Sequence, residues 1–165
     1  DDGELVTSKT THFAGRFNES KGYAAYYNGK MIMSRADAVF PDEVKKSDVG
    51  DLTLLSKYLK HACNFLKFKN NKGIQPMQIQ NIATIINMSE RQTRSFIKRM
   101  TDSRIIAIKD HTKNGETIRH YYMNPIYFLN GRNINDALYW IFQPELDKHL
   151  PKWVQDTYRK RKGVS

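Results

Sequence analysis

The sequence predicts an α+β fold, mainly α, from three observations. Residues 75–102 hold two short amphipathic helical patterns separated by a polar break. A β-branched run and an alternating run come directly after them, joined by a turn-rich segment. Apolar helical patterns flank this block on both sides, and an irregular, aromatic-rich stretch opens the chain.

Residues 1–46 read as an N-terminal, β-rich extension. Leu5-Val6-Thr7 suits a short strand, and Gly15 to Ser20 a loop. Tyr23–Tyr27 and Lys30–Met33 flank Asn28-Gly29, a pair that favours the type I′ turn of a hairpin. Tyr26 and Tyr27 have the chemistry of a base-stacking platform, but no basic groove accompanies them, so they read as packing residues. Ser34 to Phe40 reads as a short helical turn stopped by Pro41.

From Ser47 a long helix is expected, capped by Ser47 or Asp48. Its apolar face would be Leu52, Leu55, Leu59, Ala62 and Cys63, with Leu66 beyond. Lys57, Lys60 and Lys67 fall on the outer side, where they could touch phosphates but read first as solvating charges. Phe65 to Gly73 is a polar connection, with a small hairpin as the alternative.

Residues 75–109 carry the strongest pattern. Pro76 suits the start of a helix, where its missing N–H has no intrahelical partner. Met77, Ile79, Ile82, Ala83 and Ile86 make one face, and Asn87-Met88 interrupts it. Ser89 is an N-cap for a second helix over Glu90–Asp102. There Thr93, Phe96, Ile97 and Met100 recur at helical spacing and predict the buried stripe. The other face carries Arg91, Gln92, Arg94, Ser95, Lys98 and Arg99. Arginine can bond guanine in bidentate fashion and glutamine adenine, so this face, with Ser89 at its start, holds the groups that major-groove reading needs. A solvated helix in an all-α core is the alternative reading.

The next segment argues against that alternative. Ile105, Ile106 and Ile108 predict a strand, Asp110 to Gly115 a turn, and Thr117–Met123 a second strand with Ile118, His120 and Tyr122 on one side. A basic helix leading into such a hairpin is a winged helix-turn-helix, here over residues 47–129. Lys109, Lys113 and Arg119 on the wing, and Gln78 at the first helix, would reach phosphates, which position a protein without specifying sequence.

Residues 130–165 read as a C-terminal helical extension. Asn124-Pro125 ends the strand, Asn130-Gly131 turns the chain, and Asn133 or Asn135 caps a helix through Phe142. Pro144 and Pro151 open two further helical stretches. Tyr139, Trp140, Trp153 and Tyr158 are the expected dimer contacts. Arg159 to Lys162 is a basic end that reads equally as a backbone-binding arm or a solvated terminus.

A chain of 165 residues with 39% hydrophobic content supports one good core. Residues 1–47 hold seven basic and seven acidic groups, so the whole +10 excess lies beyond them. That excess favours a polyanionic partner. A single cysteine, Cys63, excludes an internal disulfide and fits a reducing compartment, so the cytoplasm is expected. No apolar run suggests a membrane span. The five histidines have no metal-ligand spacing, and neither a phosphate-binding glycine loop nor a Gly-x-Ser-x-Gly elbow occurs. Tyr121-Tyr122 could serve as a nicking nucleophile only beside a histidine-containing metal site, which spacing does not reveal. No enzyme, metal or cofactor is expected.

The segments MSERQTRSFIKRM (Met88–Met100), YYMNPIYFLNGR (Tyr121–Arg132) and LDKHLPKWV (Leu146–Val154) resemble winged-helix proteins of Gram-positive phages and plasmids. The resemblance covers about residues 48–154. Some of those proteins act in replication or maintenance and others as regulators, so the resemblance implies DNA binding. The expected function is sequence-specific double-stranded DNA binding by a homodimer, in transcription regulation. The alternatives are an origin-binding replication initiator, recruiting replication machinery, and a protein-interaction module that binds a host factor.

Overall fold

The computed structural model describes residues 17–18, 22–23, 32–113 and 115–163, with side chains for 32–112 and 115–163. The chain divides into two compact units, 1–31 and 32–165. In the first, β1 (Phe17–Asn18) pairs antiparallel with β2 (Gly22–Tyr23). The strand expected at Leu5 and the turn at Asn28-Gly29 lie outside the described residues.

The second unit is α+β, with six helices and small antiparallel sheets among the described residues. It opens with β3 (Ile32–Met33), which the sequence places in an N-terminal hairpin but which pairs instead with Leu129–Asn130, near the other end of the unit. Phe40 stacks on Tyr127 at 4.6 Å, so Phe40, like β3, lies against the segment 127–130.

Helix α1 (Lys46–Ser56) is shorter than its apolar pattern predicts. Lys45, rather than Ser47 or Asp48, takes the cap position, and its N–H donates to the Asp48 carboxylate at 3.0 Å. Tertiary hydrogen bonds override the helix beyond Ser56. Lys60 N–H donates to the Phe65 carbonyl at 2.8 Å, and Ala62 and Asn64 turn left-handed at φ +60° and +58°. Asn64 is fully buried. Its amide donates to the Met123 and Phe128 carbonyls (2.8 and 2.7 Å), and its oxygen accepts from Asn130 N–H at 2.9 Å. Cys63 thus lies half-buried in a turn, not on a helix face.

A hairpin comes next, β4 (Lys67–Asn70) against β5 (Gly73–Pro76). Pro76 therefore closes a strand opposite Lys67, and helix α2 (Ile79–Ile86) begins three residues after Pro76. Gln78 is its cap residue, with its N–H held by Asn81 Oδ1 at 2.9 Å. Asn87 ends α2 in the left-handed region (φ +52°), a conformation that asparagine tolerates better than most residues. Ser89 then caps α3 (Glu90–Asp102), whose buried side chains are Thr93, Phe96, Ile97 and Met100, as the spacing predicts.

Strands β6 (Ile106–Lys113) and β7 (Glu116–Met123) pair along their full length. The segment 110–113, expected as turn, is strand. Lys113 pairs with Glu116, which leaves Asn-Gly between them, the two-residue sequence that short hairpins prefer. Gly115 sits at φ +80°, and Asn114 lies outside the described residues. Phe65 bridges to Tyr122, and Leu66 N–H donates to the Tyr121 carbonyl at 2.8 Å, adding the stub of a third strand.

The root of this hairpin lies between two apolar clusters. Ile106, Tyr121 and Met123 join α1, α2 and α3, while Ala107 and Tyr122 join the C-terminal elements. Those elements are β8 (Leu129–Asn130), α4 (Asp136–Ile141), α5 (Gln143–Leu146) and α6 (Lys152–Arg161). Asn135 caps α4, accepting from Leu138 N–H at 2.8 Å. Arg104 ties the end of α3 to this layer through both Glu145 oxygens (2.9 and 3.2 Å) and the Ile141 carbonyl (2.7 Å). The aromatic residues expected at a dimer contact are largely used internally. Tyr139 is fully buried, stacks on Tyr158 at 4.0 Å and donates to Asp147 at 2.6 Å, and Lys162 covers Trp140; Trp153 stays 72% exposed. No helix among the described residues is long and apolar enough to cross a membrane.

Candidate nucleic-acid interface

The exposed side of α3 carries Arg91, Gln92, Arg94, Ser95, Lys98 and Arg99, the set that the sequence singles out. Burial of the apolar stripe explains why this face is presented rather than buried. The Ser89–Gln92 cap fixes the helix start, and the Phe96 stripe turns the opposite side inward. A shallow groove of about 280 Å³ runs along it, lined by Met88, Arg91, Gln92, Ser95, Phe96 and Arg99.

A second groove, of about 310 Å³, lies between three elements. The start of α2 lends Gln78 and Gln80, α3 lends Arg94, and the β6–β7 hairpin lends Asp110, Thr117, Arg119 and Tyr121. Burial raises the Tyr121 phenol, while the guanidiniums of Arg119 and Arg94 pull it back down. Arg94 of α3 and Arg119 of the hairpin thus line the same groove as Tyr121.

Most of these cations already have carboxylate partners, which exposure along a helix face does not disclose. Arg94 meets Glu90 at 3.3 Å and Lys98 meets Asp102 at 2.6 Å, both four residues apart along α3. These pairs are legible in the sequence as i,i+4 spacings, and exposed pairs of this kind contribute only about 0.3–0.5 kcal/mol, so phosphate can displace them. Arg119 makes a bidentate contact with Asp110 (2.8 and 3.0 Å), which holds the Asp110 carboxyl below its ordinary range.

Arg99 differs from these. It reaches 2.7 Å to Asp48, whose side chain is 3% exposed, and so joins α3 to the start of α1. A partner 51 residues away is invisible to local pattern. Gln92 also departs from expectation. Its carboxamide oxygen accepts from Ser89 N–H at 3.0 Å and from Ser89 Oγ at 2.9 Å, leaving only the amide nitrogen to face outward. Bidentate adenine reading needs both groups. Arg91 has no ion pair among the described residues and remains the uncommitted guanidinium of the first turn.

The expected wing cations do not share one face. In this register Lys109 lies opposite His120, on the side of Tyr122, whereas Arg119 lies opposite Asp110 on the α3 side. The Lys113 side chain lies outside the described residues.

On the Lys109 side the fold assembles a cluster that spacing does not reveal. The Tyr122 hydroxyl lies 3.1 Å from Nε2 of His111 and 3.4 Å from Nδ1 of His120. His120 stacks on Phe65 at 4.4 Å, and Lys60 lies over the same ring. Tyr121 and Tyr122 are only 3% and 8% exposed, and burial raises both phenols, opposite to the activation a nucleophile needs.

Burial, then His111 and Lys60, hold the His120 imidazole below its ordinary value. The folded state therefore prefers neutral His120. Its contribution is complete above about pH 6.5 and is lost as pH falls from there, because the unfolded chain takes up the proton first. Thermal unfolding between about pH 7.5 and 5 is expected to show a falling midpoint, and His120→Gln should flatten that fall.

The chain matches no protein-family model, no curated protein and no solved structure.

Proposed function

We propose that residues 47–129 form a winged helix-turn-helix domain that binds double-stranded DNA sequence-specifically, acting as a phage or plasmid transcription regulator. The observation that carries this reading is the groove where α2, α3 and the β6–β7 hairpin converge, beside the exposed first turn of α3. The order α1, strand stub, α2, α3, hairpin supports it as well. In this account α3 enters the major groove, the hairpin is the wing, and Gln78, Thr117 and Arg119 meet the backbone. Two copies on two half-sites supply the length of sequence that one short helix lacks, and the cytoplasm is the working compartment.

The roles divide by what each side chain is free to do. Arg91 reads guanine, Arg94 and Lys98 exchange their carboxylates for phosphates, and Arg99 positions α3. Arg91→Ala is expected to reduce affinity for a selected duplex by about 1–3 kcal/mol and to relax one base position. Gln92→Ala should weaken the helix cap by roughly 0.5–1 kcal/mol and leave the preferred sequence unchanged. Titration of labelled selected and scrambled duplexes with each variant checks both. Equal losses on the two duplexes for Arg91→Ala would remove it from base reading.

A further inference from the structure

The uncommitted positive charge of the second unit is concentrated away from α3. Between Asp51 and Glu90 the chain has five lysines, at 57, 60, 67, 69 and 72, and no acidic residue. None of the five makes an ion pair among the described residues, whereas Arg94, Lys98, Arg99 and Arg119 all do. Like charges gathered without counter-ions repel one another, and a polyanion relieves that repulsion.

Three of these lysines ride on the β4–β5 hairpin. Lys67 and Lys69 are two residues apart on β4, so they share one face with about 6.6 Å between their positions. Phe68, between them, packs against the main apolar cluster, which turns the lysine face outward. Lys72 lies exposed in the connecting turn. The support is braced. Asn70 Oδ1 accepts from Lys72 N–H at 2.9 Å, the Gln75 amide donates to the Lys72 carbonyl at 3.2 Å, and Gly73 supplies φ +94°. Met77 N–H closes the base by donating to the Leu66 carbonyl at 3.0 Å. The hairpin also leads within two residues to Gln78 in the three-element groove.

We infer that the β4–β5 hairpin is a second contact surface for the phosphate backbone of duplex DNA, flanking the bases met by α3. The inference rests on the duplex-binding reading of α3. Side chains that end in ammonium groups fit this role, since they neutralise phosphates without reading bases.

The test compares the full chain with its Lys67→Ala/Lys69→Ala/Lys72→Ala variant, and with Lys69→Glu, on a duplex longer than the selected site. Affinity is measured over a series of salt concentrations, with circular dichroism confirming the fold. The slope of log K against log salt is expected to shrink by about 0.9 for each phosphate that is no longer neutralised, at unchanged preference for selected over scrambled sequence. A Lys→Arg triple variant should restore the slope. An unchanged slope, where the wild-type chain binds duplex, overturns the hairpin contact and leaves the α3 reading intact. A loss confined to single-stranded DNA overturns it too. Failure of the wild type to bind any duplex overturns both.

Discussion

Asn64→Ala is expected to lower the unfolding free energy by about 3–5 kcal/mol, since each buried polar group left without a partner costs about 1–3 kcal/mol. Three such groups are at stake, the carbonyls of Met123 and Phe128 and the N–H of Asn130, all held by one fully buried amide. Alanine at φ +58° adds about 1 kcal/mol of backbone strain, a conformation that asparagine tolerates better. Asn64 joins the turn after α1 to the end of β7 and to β8, so its loss loosens the base of the hairpin from both apolar clusters. Urea unfolding should show a lower midpoint at an unchanged slope with denaturant. A midpoint within experimental error of wild type would mean that the turn is held by its apolar neighbours alone.

Asp48→Ala is expected to cost about 2–4 kcal/mol, through removal of a helix cap and of a charge-assisted hydrogen bond. One carboxylate oxygen accepts from Lys45 N–H and the other from Arg99, so a single side chain starts α1 and fixes the orientation of α3. Asp51, held above the ordinary carboxylate range by burial and by Asp48, is relieved by the change and offsets a small part of the loss. A double-mutant cycle with Arg99→Ala should show coupling well above that of the exposed Arg94–Glu90 pair. Additive effects would show that the contact between Asp48 and Arg99 is incidental. In DNA binding, Arg99→Ala should weaken selected and scrambled duplexes alike, which separates positioning from base reading.

The helical block is legible in the sequence because its signals are local. Ser89, the spacing of Thr93, Phe96, Ile97 and Met100, and the polarity of the other face fix α3 without reference to the rest of the chain. The ends of α1 and α2 are not legible in the same way. The apolar pattern runs from Leu52 to Leu66, but Asn64 makes its bonds 59 to 66 residues away, and those bonds end the helical path. Pro76 suits a helix start and a strand end equally, and only pairing with Lys67 decides between them. The β6–β7 hairpin is longer than the sequence suggests because Asp110, His111, Thr112 and Lys113 are polar. A hairpin that projects from a core needs no apolar alternation at its tip.

The site shows the same division. Composition indicates which side chains are exposed on α3, but their partners decide which are free. Glu90 and Asp102 can be found from helical spacing, whereas Asp48 cannot. Alternation along β7 separates two faces, yet only the register with β6 puts Lys109 and Arg119 on opposite ones. Tyr139 and Tyr158 give no local sign in the sequence that they stack on each other.

Selection of bound duplexes from a random pool, carried out with the full chain at two salt concentrations, tests the central claim most directly. The account predicts an enriched, two-fold symmetric site containing guanine at the position contacted by Arg91, retained at the higher salt. The position of that site in its parent genome, at a promoter or an origin, then separates a regulator from a replication initiator. Retention of every duplex at low salt and none at high salt, with no motif, would contradict the account and leave only phosphate attraction.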